Sequence, residues 1–235
     1  MGMRRIALWI LLCLPWAAQA GSFEVNPVIL VLSGSHTSDV VRVTNTGVQP
    51  VVVQAQLYAW SQVNGSNAYA DSRDLVMTPP IFTIPVGGMQ LVRLGLRNPQ
   101  GPAHELNYAL FLAEVPPSKG QHLGLQIALR VGMPVFVEPS NDIAPDLHWT
   151  LARTSGGELT VTANNTGPGH AEVKNFSLTR EGNKTPLVQA NGGYVLAGQS
   201  RAWTVKLPMT LATGAALELA ADTDGGTVRA QLILP

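Results

Sequence analysis

The stretch "SGSHTSD" brings Ser35, His36 and Asp39 close together in sequence. These are the residue types of a nucleophile, a base and its orienting carboxylate, but a triad is an arrangement in space, so adjacency along the chain carries almost no weight. The other histidines, His104, His122, His148 and His170, are scattered. None has a second His, a Cys or a carboxylate at the spacing of a metal site such as H-E-x-x-H, and His104-Glu105 is only a dipeptide. They read as surface or loop histidines. There is no G-x-S-x-G elbow, P-loop or dinucleotide fingerprint. The glycine pairs at 87–88, 156–157, 192–193 and 225–226 lie between strand-like runs and read as turn glycines. No catalytic residue, no metal site and no cofactor are expected, and the chain is not read as an enzyme.

Composition narrows the class further. The segment "MGMRRIALWILLCLPWAAQA" opens with Arg4 and Arg5, continues as an apolar run, and ends in Ala18-Gln19-Ala20, the small-x-small pattern that a signal peptidase reads. The run is shorter than the roughly 20 apolar residues of a membrane span. Residues 1–20 are therefore expected to be a signal peptide, with no stable membrane insertion of what remains. The single cysteine, Cys13, leaves with that segment, so stability of the exported chain must come from core packing rather than disulfides. Removing Arg4 and Arg5 leaves 13 of 15 basic residues against 15 acidic ones. That near-neutral balance gives no basic footprint for nucleic acid. A hydrophobic share of 46% with only 13% charged residues describes a folded chain.

From Phe23 onward the sequence reads as short strands separated by turns, with no long helical periodicity. "VVRVTNTGVQPVVVQAQLYAW" gives a strand, a turn and a second strand, "QLVRLGLR" sets Leu91, Leu94 and Leu96 against Arg93 and Arg97, and "LNYALFLAEVPP" ends at two prolines. Strands at such spacing predict a β-sandwich. A weak echo between "VTNTGVQPVVVQ" at 43–54 and "TANNTGPGHAEVK" at 162–174 predicts two of them in series. The expected division is residues 21–140 and 141–235, with the boundary near 138–146, where Pro139 and Pro145 stand.

The longest pattern is "LGLQIALRVGMPVFVEP" at 123–139. Leu123, Leu125, Ile127, Leu129, Val131, Met133, Val135 and Val137 occupy every second position, the signature of a strand with one apolar face. A strand from 123 to 137 would span roughly 50 Å, where strands of about 5 or 6 residues are usual. Pro134 removes a ladder donor, which is tolerated at an edge or a bulge. An apolar edge strand is normally blunted against aggregation; left sharp, it is expected to receive a partner. The plain alternative is a central core strand in a secreted two-domain immunoglobulin-like adhesion or structural module.

Several stretches resemble the periplasmic chaperones of the chaperone-usher pathway for pilus assembly: "FEVNP", "PPIFTIPVGGMQLVRLGLR" at 79–97, "EVPP" at 114–117 and "LQIAL" at 125–129. "AWSQVNG" at 59–65 makes the likeness strongest to the archaic branch. The resemblance implies an all-β protein of two immunoglobulin-like domains set in an L. It implies that Leu123, Leu125, Ile127, Leu129 and Val131 complete the open sandwich of a pilin subunit by β-strand addition. It also implies the periplasm as location, with pilin subunits and an outer-membrane usher as partners. Many relatives anchor the pilin's C-terminal carboxylate with an Arg in the first strand and a Lys in the donor strand, where this chain has Ile29 and Pro134. Archaic relatives often carry an Arg directly after the Tyr of "Y-x-L", where this chain has Ala109. Arg97, Arg93 and Arg130 are then the candidate anchors.

Overall fold

The computed structural model describes residues 23–98, 102–116, 127–139, 143–208 and 210–235. The expected signal peptide and the donor positions Leu123 and Leu125 lie outside the described residues. Among the described residues the secondary structure is strand, with no helix. The first ten strands are β1 (Phe23–Asn26), β2 (Leu30–Ser33), β3 (Ser38–Asn45), β4 (Val51–Val63), β5 (Ser66–Asp71), β6 (Leu75–Thr78), β7 (Ile81–Ile84), β8 (Met89–Leu96), β9 (Leu106–Glu114) and β10 (Arg130–Glu138). Seven more follow: β11 (Leu147–Arg153), β12 (Leu159–Asn165), β13 (Ala171–Arg180), β14 (Val188–Val195), β15 (Ser200–Val205), β16 (Ala216–Thr223) and β17 (Gly226–Ile233).

These form two immunoglobulin-like sandwiches. In the first, a sheet ordered β1-β3-β8-β6 faces one ordered β2-β10-β9-β4-β5, with β7 also on β4. In the second, β11-β12-β15 faces β14-β13-β16-β17. Alternation along the strands fills each interior. Val41, Val43, Val92, Leu94, Leu110, Leu112, Met133 and Val135 meet in the first core, and Leu159, Val161, Phe176, Leu178, Leu217 and Leu219 in the second. Each apolar side chain so buried contributes on the order of 1.5–3 kcal/mol. On β8 the inward residues are Val92 and Leu94, while Leu91 shares the outer face with Arg93. The expectation that Leu91 points with Leu94 is corrected, since residues three apart on a strand face opposite ways.

The echo seen in sequence has a structural basis. Asn45 and Asn165 end β3 and β12, and both are buried at 1% exposure. Asn45 Nδ2 donates to the carbonyls of Gln49 and Ile84, and its Oδ1 accepts from Gly47 N. Asn165 Nδ2 donates to the carbonyls of Gly169 and Val195, and its Oδ1 accepts from Gly167 N and Asp146 N. Each Asn-Thr-Gly turn thus tucks an amide beneath the end of its sandwich and satisfies backbone groups that would otherwise be buried without partners.

The long strand expected over 123–137 begins at Arg130, and Ile127, Ala128 and Leu129 precede it as non-strand backbone. The reason lies in its neighbour: β9 stops at Glu114, just before Pro116, so past the bond from Glu114 N to Leu129 O the ladder ends.

Candidate functional site: an open strand edge beside a cleft

On one side, β10 pairs antiparallel with β9 from Arg130 to Val137. On the other it pairs in parallel with β2 only from Val135 to Glu138. From Arg130 to Pro134 that second edge therefore carries no described strand, and Pro134, lacking an N–H, sits where a ladder tolerates it. The side chains of odd parity grade from core to solvent: Val137, Val135 and Met133 are buried, Val131 and Leu129 pack partly against the same core, and Ile127 is 81% exposed.

Residues of even parity point to the opposite face of the sheet, where the second sandwich approaches. Gly132 lies opposite Phe111 on β9, and an added Cβ there would stand 2.7 Å from the Phe111 ring. The missing side chain lets that ring lie across β10. Tyr69 meets Phe111 edge-on at 5.2 Å, and the Arg130 guanidinium stacks over it at 4.1 Å from the ring centre. Beside this platform a cleft of about 220 Å³ is lined by Trp60, Phe111, Gly132 and Pro134 from the first sandwich and by Tyr194 and Arg201 from the second. Burial, with Glu172 and Asp224 nearby, pushes the Tyr194 hydroxyl up to about 12.

Below the cleft the sandwiches join through a small core of Trp60, Ala109, Phe136 and Leu196. His170 lies in the loop between β12 and β13, as expected, and there it is partly buried: it stacks on Phe136 at 3.6 Å and pairs through Nδ1 with Glu105 Oε2 at 2.8 Å. The Glu105 side chain is fully buried, and its Oε2 finds its partner on the other sandwich. Sequence spacing holds no trace of this pair, because its members are 65 positions apart.

The three arginines named from the sequence are not brought together. Arg130 borders the cleft. Arg93 is exposed on the outer face of the opposite sheet, between Val40 and Thr78. Arg97 lines a separate pocket with Arg73, Asp74 and Tyr108. There Tyr108 donates to Asp74 Oδ2 at 2.9 Å, and burial and then that carboxylate push its hydroxyl upward. Arg201, which sequence reading passed over, is the cation that lines the cleft itself. Ser35 Oγ bonds Ser33 Oγ, while His36 lies 3.8 Å from Asp39. Among the described residues no group of three or more His, Cys, Asp or Glu is placed to hold a metal ion.

Two sandwiches joined at a cleft, with the edge of β10 from Arg130 to Pro134 free of any described strand beside it, define a two-domain all-β protein. The comparisons identify its kind. Residues 22–142 match the pili and flagellar-assembly chaperone family, PapD N-terminal domain, and the chain belongs to that family. Over 234 residues it is 26% identical to the chaperone protein MrkB of Klebsiella pneumoniae, covering 95% of this chain and 96% of that protein. A chain of the CsuC–CsuE chaperone–tip adhesion subunit pre-assembly complex, from the archaic chaperone-usher Csu pili of Acinetobacter baumannii, shares the fold. Its TM-score is 0.70 at 18% identity, over 92% of this chain and 100% of that one. So does a chain of the Salmonella enterica SafA pilin in complex with the SafB chaperone, with TM-score 0.59 at 17% identity over 93% and 99%. The protein is a pilus-assembly chaperone.

Proposed function

We propose that the chain works in the periplasm, capturing pilin subunits by lending them the segment that leads into β10 and passing them to an outer-membrane usher. Leu123, Leu125, Ile127, Leu129 and Val131 are the proposed donor residues. The observation that carries the reading is Ile127. It is 81% exposed, yet it shares the parity of Met133 and Val135, which lie in the chain's own core. A side chain of that size filling a subunit's groove gains roughly 1.5–3 kcal/mol, and the open edge from Arg130 to Pro134 offers main-chain groups to the same subunit. The complexes named in the CsuC–CsuE and SafA–SafB structures, a chaperone with a tip subunit and a chaperone with a pilin, support a client of this class.

Position favours Arg130 among the three candidate anchors for the subunit's C-terminal carboxylate, with Arg201 opposite it in the cleft. Arg93 and Arg97 are remote from the open edge. The division into residues 21–140 and 141–235 is proposed alongside, with the junction in the eight residues between β10 and β11.

The test is Ile127→Asp in the exported chain, co-expressed with a pilin subunit that the unsubstituted chain captures. Capture of the small β-rich subunit is expected to collapse, because an unpaired carboxylate cannot enter an apolar groove without a large cost. The melting temperature of the free protein is expected to stay within a few degrees. Undiminished capture, or a free protein that unfolds, overturns the donor assignment and returns the stripe to an ordinary core strand.

A further inference from the structure

The β4–β5 hairpin ends in a two-residue turn, Asn64-Gly65, with φ of 51° and 75°. Left-handed pairs of this kind match the twist of a tight hairpin, and hairpin tips ordinarily stand in water. This one does not: Gly65 is buried. Its carbonyl accepts from Ala202 N of β15 at 3.0 Å, and a Cβ added to it would stand 2.5 Å from Ala202 Cβ. Two residues before the turn, on β4, Gln62 is 9% exposed and spends its side chain on the other sandwich. Its Nε2 donates to Tyr194 O at 2.7 Å, its Oε1 accepts from Leu196 N at 3.1 Å, and its backbone N donates to Gln199 Oε1. Beyond the turn, Asn67 Oδ1 accepts from Arg201 Nη1, the cation of the cleft.

We propose that this hairpin is a strut: Gln62, Gly65 and Asn67 fix the second sandwich against the first and thereby set Arg201 and Tyr194 over the open edge of β10. The length of β4 follows from that role. Val53 to Ala59 suffice to pair with β9, and the remaining residues to Val63 carry the turn to its contact. Gly65 is a positioning residue, because the chain approaches β15 too closely there for any side chain. The Glu105–His170 pair and the Phe136 stack lie at the same junction. They close the junction once the hairpin is docked but do not by themselves fix the two sandwiches, so the strut is what makes them a single rigid body. The inference concerns the free protein and does not depend on the donor-strand reading, so either can fail alone.

The test measures residual dipolar couplings of the free exported chain together with its calorimetric unfolding. The unsubstituted protein is expected to show one alignment tensor common to both sandwiches and one transition. Gly65→Val removes the docking, and Ala202→Leu fills the same contact from the other side while leaving the turn untouched. Both are expected to give two distinct tensors and to split the transition. Gly87→Val is the control for backbone strain: φ is +67° there too, yet nothing lies within 4 Å of its Cβ position. It is expected to lower the melting temperature while one tensor remains. Separate tensors in the unsubstituted chain, or a common tensor retained in both Gly65→Val and Ala202→Leu, overturn the strut.

Discussion

At the scale of single residues, the stability of each sandwich leans on a polar group placed inside it. Asn45 and Asn165 each satisfy several backbone groups at once, and no apolar side chain of that size can replace them. Asn165→Ala leaves buried carbonyls and the N–H groups of Gly167 and Asp146 without their partner. It is expected to cost about 2–4 kcal/mol, read from the urea midpoint, with Asn45→Ala costing a similar amount in the first sandwich. Tyr194 offers a test with a definite sign. Burial first, then Glu172 and Asp224, holds its hydroxyl protonated to about pH 12, whereas a tyrosine in an unfolded chain ionises near 10. Between those values the unfolded state has released a proton that the folded state still binds, so the contribution is intact below about pH 10 and is lost as pH rises through the folded value. The tyrosinate absorbance of the protein minus that of Tyr194→Phe should therefore rise near pH 12; a step near 10 would contradict the burial argument.

At the scale of one element, β10 combines two environments that a uniform pattern conceals. Its C-terminal part is gripped by β9 and β2, while its N-terminal part has β9 alone among the described strands. Charge placed along the same parity should therefore have graded effects. Met133→Asp puts a carboxylate into the first core, where Met133 is 2% exposed, and is expected to unfold that sandwich, as burial of an unpaired charge does. Ile127→Asp six positions earlier is expected to leave far-UV circular dichroism and the melting temperature almost unchanged. Equal destabilisation by both would mean that Ile127 is packed in the free protein. The grading was partly legible in advance: eight alternating apolar residues announced a strand too long for one core. Its observed start at Arg130 was not legible, because a strand lasts only as far as its neighbour does, and pairing across the sheet decided that this neighbour is β9, which ends at Glu114.

At the scale of the whole molecule, residues 139–146 are the crossing between sandwiches. Limited proteolysis is expected to cut first near 138–146 or in "SKGQHLG", the polar and proline-bearing stretches that the sequence reads as connections, because loop tips are the usual sites of nicking. First cuts within 41–60 would contradict the division. If the hairpin acts as a strut, fragments cut at 138–146 should co-elute on gel filtration until urea is added. Intact mass of the material entering that experiment should correspond to a chain starting at Gly21 or within two residues of it, as the Ala18-Gln19-Ala20 site requires.

By itself the sequence determined the properties that depend on neighbours along the chain. Period-two runs specified the strands and most of their inward faces, and Asn-Thr-Gly marked a turn in each sandwich. These are local because backbone geometry alternates side chains between two faces whatever lies beyond them. Alternation does not say what covers a face, and that the tertiary structure decided. It packed His170 against Glu105 and Phe136, docked a turn glycine on β15, and placed Arg201 across a cleft from Phe111, 90 positions away. Each of those contacts joins residues whose distance is set by how two separately folded sandwiches meet, and the period of neither partner's own strand carries that information.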